Sequence, residues 1–173
     1  MTVVELRPVD RELFRALLAR QAATVTVVTA PGSAGGRGWP PLPPVACTAT
    51  ALTAASLEPP LLSLCLDRQP SSRQAIGRAE HLAVHLLPAG QRGATRPVAA
   101  GHLDPFAADP GWQPGPFGVP LLDGALAVLL CRAVQQVPAG DHTLVLAEPL
   151  ALGTEQREAR DQAYAAAVGR SDR

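Results

Sequence analysis

ALAVLLCRAVQQVPAGDHTLVLAEPLAL, Ala125 to Leu152, is the stretch on which the fold turns. Its two halves, ALAVLLCRAVQQV and HTLVLAEPLAL, carry the aliphatic, β-branched character of long strands, and the PAG between them leaves room only for a tight turn. The segment therefore predicts a hairpin. At the mouth of its second strand GDHT places an acid beside a histidine, Asp141 and His142, in a chain with four histidines in all.

Further strands appear on working outward. ATVTVVTA, Ala23 to Ala30, is a β-branched run followed by the Gly-rich turn PGSAGGRG. WPPLPPV then places four prolines between Trp39 and Val45; each lacks a ladder donor, so this is a loop or sheet edge. Ala46 to Ser56 is small, Thr-rich and extended, and LEPP stops it before the apolar strand LLSLCLD, Leu61 to Asp67. SSRQAIGRA predicts a short helix opened by Ser71 or Ser72, followed by the strand HLAVHLL, and Ala89 to Val119 is irregular, with many Gly and Pro residues. Helical patterns close both ends: RELFRALLARQ after a capping Asp10, and an Ala-rich tail over about residues 155–168. Short strands, few helices and crossings too short for repeated βαβ units predict a mainly β fold with flanking helices, a barrel in one domain over residues 1–173.

Composition narrows the function. Lys+Arg number 15 against 15 Asp+Glu, and aromatic residues make up 3%, so neither a phosphate-binding basic tract nor stacking platforms for nucleic acid are present. Every basic residue is Arg, which excludes Schiff-base chemistry and a Walker A loop, both of which require lysine. Cys47, Cys65 and Cys131 lie far apart in apolar sequence and read as core residues of a reducing compartment. MTVVELR turns charged at once and no later run is long and uncharged enough to span a bilayer, so the expectation is a soluble cytoplasmic protein without a membrane partner.

The order and spacing of TVTVVTA, CTATALTAASLEPP, LLSLCLDR, LAVHLL, WQPGPFGVPLLDGALAVLLCR and AGDHTLVLAE resemble the flavin reductase-like, FMN-binding split-barrel proteins, the reductase halves of two-component flavin monooxygenases. The resemblance covers about residues 12–150, and TAASLEPP, PLLDGALA and GDHT are its most specific pieces. It implies a Greek-key split β-barrel, a homodimer with FMN (or FAD) near the subunit interface, NADH or NADPH as hydride donor, and reduced flavin diffusing to a partner monooxygenase.

Carried onto this chain, the resemblance puts the flavin-contacting strand at Thr48, Ala49, Thr50 and Ala51, where strand alternation would set Thr48 and Thr50 on one face. It puts the phosphate around Asp67, Ser71, Ser72 and Arg73, where hydroxyls, a helix N-terminus and a guanidinium would form an anion seat. His142 would contact the nicotinamide or assist proton balance, with Asp141 setting the turn or orienting the imidazole; the strand face of His142 is shared with Leu144 and Leu146, so a barrel-end histidine held by backbone is the other reading. Gln21, Thr24, Ala51, Ala54, Gln69 and Pro70 depart from the family's usual residues, and the tail lacks its closing strand. A split barrel that has lost tight flavin binding and acts as a small-molecule binding or cofactor-independent biosynthetic protein is therefore the alternative.

Other chemistry finds less support. HLAVH would pair His81 and His85 on a helix face for a metal, but as a strand it separates them by about 13 Å, so no metal is expected. No GxSxG elbow is present. Phe106, Trp112 and Phe117 in the Pro/Gly-rich segment read as anchors of a long loop or as a lid.

Overall fold

The computed structural model describes residues 26–35, 40–68, 70–87, 111–125 and 127–153. The helices expected over 10–20 and 155–168, together with Gln21, Thr24, Trp39, Gln69 and Phe106, lie outside the described residues. Six strands close a barrel in the order β1-β2-β3-β8-β7-β4, and β5 and β6 form a separate two-stranded ribbon. The barrel strands are β1 (Thr26–Ala30), β2 (Val45–Leu57), β3 (Pro60–Asp67), β4 (His81–Leu86), β7 (Ala127–Ala139) and β8 (His142–Gly153). The ribbon joins Trp112–Pro114 (β5) to Pro120–Leu122 (β6), and one helix, α1 (Pro70–Arg78), connects β3 to β4. All neighbouring barrel strands are antiparallel. This is the expected mainly β, Greek-key barrel.

The long hairpin forms as its sequence implies, but the turn is tighter. Ala139 pairs with His142, leaving only Gly140 and Asp141 between the strands, and Gly140 takes φ +62°, which a two-residue hairpin of primed type demands. Helix α1 begins at Pro70 rather than being capped by Ser71 or Ser72. Proline lacks only an N–H that has no intrahelical partner in the first turn, so it starts a helix without loss. Ser72 is thereby drawn into the first turn and is 5% exposed.

Inward-facing Val28, Val45, Cys47, Leu64, Leu66, Leu82, Val84, Cys131, Val145 and Ala147 fill the barrel, and Ala75 and Ile76 of α1, with Ala79 just after it, plug one end. The outer face of β1 and β4 is also buried, because the β5–β6 ribbon lies across it: Val27, Leu87, Leu122 and Ala125 cluster with Trp112, and Ala83 packs on Val119 and Leu130. Thr29 donates its hydroxyl to Pro120 C=O at 2.7 Å. His85, fully buried, accepts from Leu122 N–H at Nε2 (3.1 Å) and therefore carries its proton on Nδ1, which donates to Val27 C=O at 3.2 Å. Burial pushes its pKa down to about 4. HLAVH is a strand whose histidines anchor the ribbon: Trp112 meets the His85 ring edge-on, and Phe117 stacks on His81 with centroids 3.8 Å apart. Trp112 and Phe117 thus anchor their segment. Among the described residues no three His, Cys, Asp or Glu side chains gather as a metal set.

Candidate functional site

Segments some 70 residues apart in the chain meet at the barrel end that α1 covers. Asp67, the last residue of β3, is directly opposite His142, the first of β8. Arg68 follows it and grips the hairpin turn twice: its backbone N–H donates to Asp141 C=O at 3.0 Å, and its Nη1 to Gly140 C=O at 3.2 Å. Asp141 Oδ1 lies 2.7 Å from His142 Nδ1. A carboxylate only accepts, so this contact places the ring proton on Nδ1 and leaves Nε2 as the nitrogen able to meet another molecule. The Asp141 side chain is 85% exposed and that of His142 28%, so the pair stands at the surface.

Strand pairing extends this corner into a surface. Leu64, Leu66, Val145 and Ala147 point inward, so the residues between them face out. Asp67, His142 and Ala139 form one outward row; Ala51, Cys65, Leu144 and Val137 form the next, across β2, β3, β8 and β7. His142 heads an outward column continued by Leu144 and Leu146, as strand alternation implied.

The expected alternation along Thr48, Ala49, Thr50 and Ala51 is interrupted. Ala49 pairs with Leu66 but Ala51 with Cys65, so the β2–β3 register skips Thr50. That is a β-bulge, whose extra residue has no partner across the ladder. Ala49 packs against the core while Ala51 is exposed opposite Cys65; on a regular strand these two would share a face. The expected sharing of a face by Thr48 and Thr50 rests on the Thr50 side chain, which lies outside the described residues. Thr48 itself sits opposite Val27 of β1. Ala51, in the row next to Asp67–His142, is thus a small exposed side chain beside irregular backbone, and Ala54 and Ala55 further along β2 are exposed as well.

Asp67, Ser72 and Arg73 come together in one cleft, lined also by Arg68, Gln136 and Thr143. Two guanidiniums against one carboxylate, with the first turn of α1 alongside, give the cleft the sign and donors that suit a phosphate. The Ser71 side chain lies outside the described residues. Gln136 donates to Ile76 C=O at 3.0 Å, tying β7 to α1 at the cleft wall. Asp67 also acts on its buried neighbour: burial first, and the Asp67 charge second, push the Cys47 thiol up to about 12. Sequence reasoning passed over Arg68, Gln136 and Thr143. Alternation from His142 places Thr143 on the inner face, and the unbroken pairing from Ala139–His142 back to Gln136–Val145 places Gln136 there too.

Comparison with known proteins agrees with this geometry. The flavin reductase like domain matches residues 18–167. An FMN reductase (NADH), RutF, from Stutzerimonas stutzeri is 35% identical over 151 residues, covering 84% of this chain and 79% of that protein. The structure of the Streptomyces globisporus NADH:FAD oxidoreductase SgcE6 in complex with NAD and FAD fragments is similar with a TM-score of 0.71 and 32% identity, over 88% of this chain and 87% of that one. BorF, the flavin reductase component of a bacterial two-component tryptophan halogenase, is similar with a TM-score of 0.70 and 30% identity, over 86% of this chain and 89% of its own.

Proposed function

Because the chain belongs to the flavin reductase like domain family, we infer that it is an NAD(P)H:flavin oxidoreductase that supplies reduced flavin to a partner monooxygenase. The observation that carries this reading is the continuity of the corner: anion cleft, Asp67–His142 row and small-residue bulge lie on adjacent strands. The residues fit a flavin phosphate on charge and donors, and the bulge of β2 supplies backbone outside the ladder beside exposed alanines that let a flat ring approach.

Ser72 and Arg73, with Ser71 beside them, would hold the phosphate, and Thr48, Ala49, Thr50 and Ala51 would border the ring. The flavin, when bound, accepts hydride at N5 from the nicotinamide. His142, its proton on Nδ1 toward Asp141, presents Nε2 outward as an acceptor that aligns the nicotinamide. No protein nucleophile is required, so His142 is an aligning group.

The same reading makes the protein a homodimer. Leu57, Val134, Val137, Leu144, Leu150 and Leu152 of β2, β7 and β8 are exposed at 86, 55, 40, 36, 45 and 62%, more apolar surface than one barrel leaves open without a partner. A cytoplasmic location suits the free thiols of Cys47, Cys65 and Cys131.

Single-turnover reduction of FMN and of FAD by NADH and by NADPH tests the reading. Wild type is expected to reduce flavin, and His142→Ala to do so about tenfold or more slowly with its circular dichroism unchanged. Absence of reduction in the wild type at saturating flavin would overturn the assignment in favour of a flavin-free binding protein.

A further inference from the structure

We propose that Arg68 is the positioning residue for His142, holding the Gly140–Asp141 turn so that the imidazole is presented in one direction. This rests on the reading of His142 given above. A two-residue turn at a barrel end is free to rock about its strands, and the Asp141–His142 contact lies within that turn, so it fixes the ring relative to the turn only. The turn is fixed relative to the barrel from outside the hairpin. Arg68 supplies that tether with two bonds to consecutive carbonyls, those of Gly140 and Asp141, from a residue one step beyond the Asp67–His142 pair.

The geometry separates two roles. The backbone N–H of Arg68 bonds Asp141 C=O whatever side chain stands there, so the strands stay joined in any variant. Only the guanidinium reaches Gly140 C=O, and the same side chain lines the anion cleft, which it shares with Ser72 and Arg73. Removing the guanidinium is thus expected to loosen the turn without unfolding the barrel. A displacement of about 1 Å at an aligning group is enough to slow a reaction by up to about a hundredfold.

The test uses the flavin-free protein first. In NMR relaxation of Gly140, Asp141 and His142, the wild type should show a turn as rigid as the strands it joins. Arg68→Met should leave the turn and the His142 ring mobile, and Arg68→Lys, which keeps a long donor, should restore the rigid turn. The second readout is reduction of riboflavin, which has no phosphate and so ignores the cleft: Arg68→Met should lower kcat about tenfold and Arg68→Lys recover most of it, on the scale of a misplaced aligning group. Should Arg68→Met lose its sheet signal in circular dichroism, Arg68→Gln takes its place with the same expectation. Turn relaxation identical in wild type and the methionine or glutamine variant would overturn the proposal, as would a lysine variant no better than methionine. A wild type that reduces no flavin would sink the enzymatic reading alone, since the NMR result stands apart from it.

Discussion

Acidification should detach the β5–β6 ribbon through one residue, and the size of the effect follows from the contacts of His85. The ring is fully buried and accepts Leu122 N–H at Nε2, a contact that only the neutral form can make. Burial lowers its pKa from 6.5 to about 4, with the bond to Val27 C=O acting weakly the other way. In the unfolded chain the imidazole titrates near 6.5, so between pH 6.5 and 4 the unfolded state binds the extra proton and stability falls as pH falls. At 1.36 kcal/mol per pKa unit the whole interval amounts to about 3 kcal/mol, fully present above pH 6.5 and gone once the pH has passed below 4. Carboxylates lose stability over part of the same range, so the informative quantity is a difference between proteins. His85→Leu removes the titration but orphans Leu122 N–H, at roughly 1–3 kcal/mol when buried. Denaturant unfolding of both proteins at several pH values from 7.5 to 4 should show the leucine variant much the weaker at pH 7.5 and the gap closing by about 3 kcal/mol at pH 4. A gap that stays constant would refute the argument, because it would mean that His85 does not change its protonation on unfolding.

Three further outcomes are expected. Arg73→Ala should weaken FMN by about 1.5–3 kcal/mol while leaving riboflavin nearly unchanged, as measured by fluorescence titration; equal losses would place the phosphate elsewhere. Burial pushes the Cys47 and Cys131 thiols up to about 12, whereas Cys65 is half-buried on the outer face, so alkylation of native protein at pH 8 with peptide mapping should find Cys65 modified well before the other two. Sedimentation at micromolar concentration should give a dimer, and Leu144→Glu, which places a charge in the outward apolar row, should shift it to monomer with the sheet spectrum intact.

What was legible in the sequence was whatever depends on neighbours in the chain. The strand patterns survive because inward and outward residues alternate over runs such as LLSLCLD and HTLVLAE, and the turns survive because Gly140 and the LEPP prolines force them. The β5–β6 ribbon was missed for the converse reason. Trp112–Pro114 and Pro120–Leu122 are three residues each and carry prolines at 114 and 120, with Pro116 between them, so no periodicity is visible; burial against Val27 and His85 holds the ribbon instead. In the candidate site, DRQPSSR and GDHT were each recognisable, but that Asp67 stands opposite His142 and that Arg68 holds the turn depend on the β3–β8 register, a long-range fact. Bulges hid the remainder, since one inserted residue exchanges the faces of a strand and Ala51 is turned outward by a neighbour no pattern marks.

The alanines of β2 bear on how such a site would work. Ala51 and Ala54 offer no hydroxyl, and both are exposed. On the reading proposed above, ring contacts are then left to backbone groups, and each absent neutral hydrogen bond lowers affinity by roughly 1 kcal/mol. The cleft of Arg68, Ser72 and Arg73 holds two guanidiniums, so on the same reading the phosphate end supplies the larger share of binding. A flavin held by its phosphate and only lightly along its ring dissociates readily once reduced, which is what delivery to a second protein requires. The same distribution makes affinity salt-dependent, because charge-assisted contacts at a surface cleft are screened over about 10 Å at 0.1 M salt while backbone contacts to an uncharged ring are not.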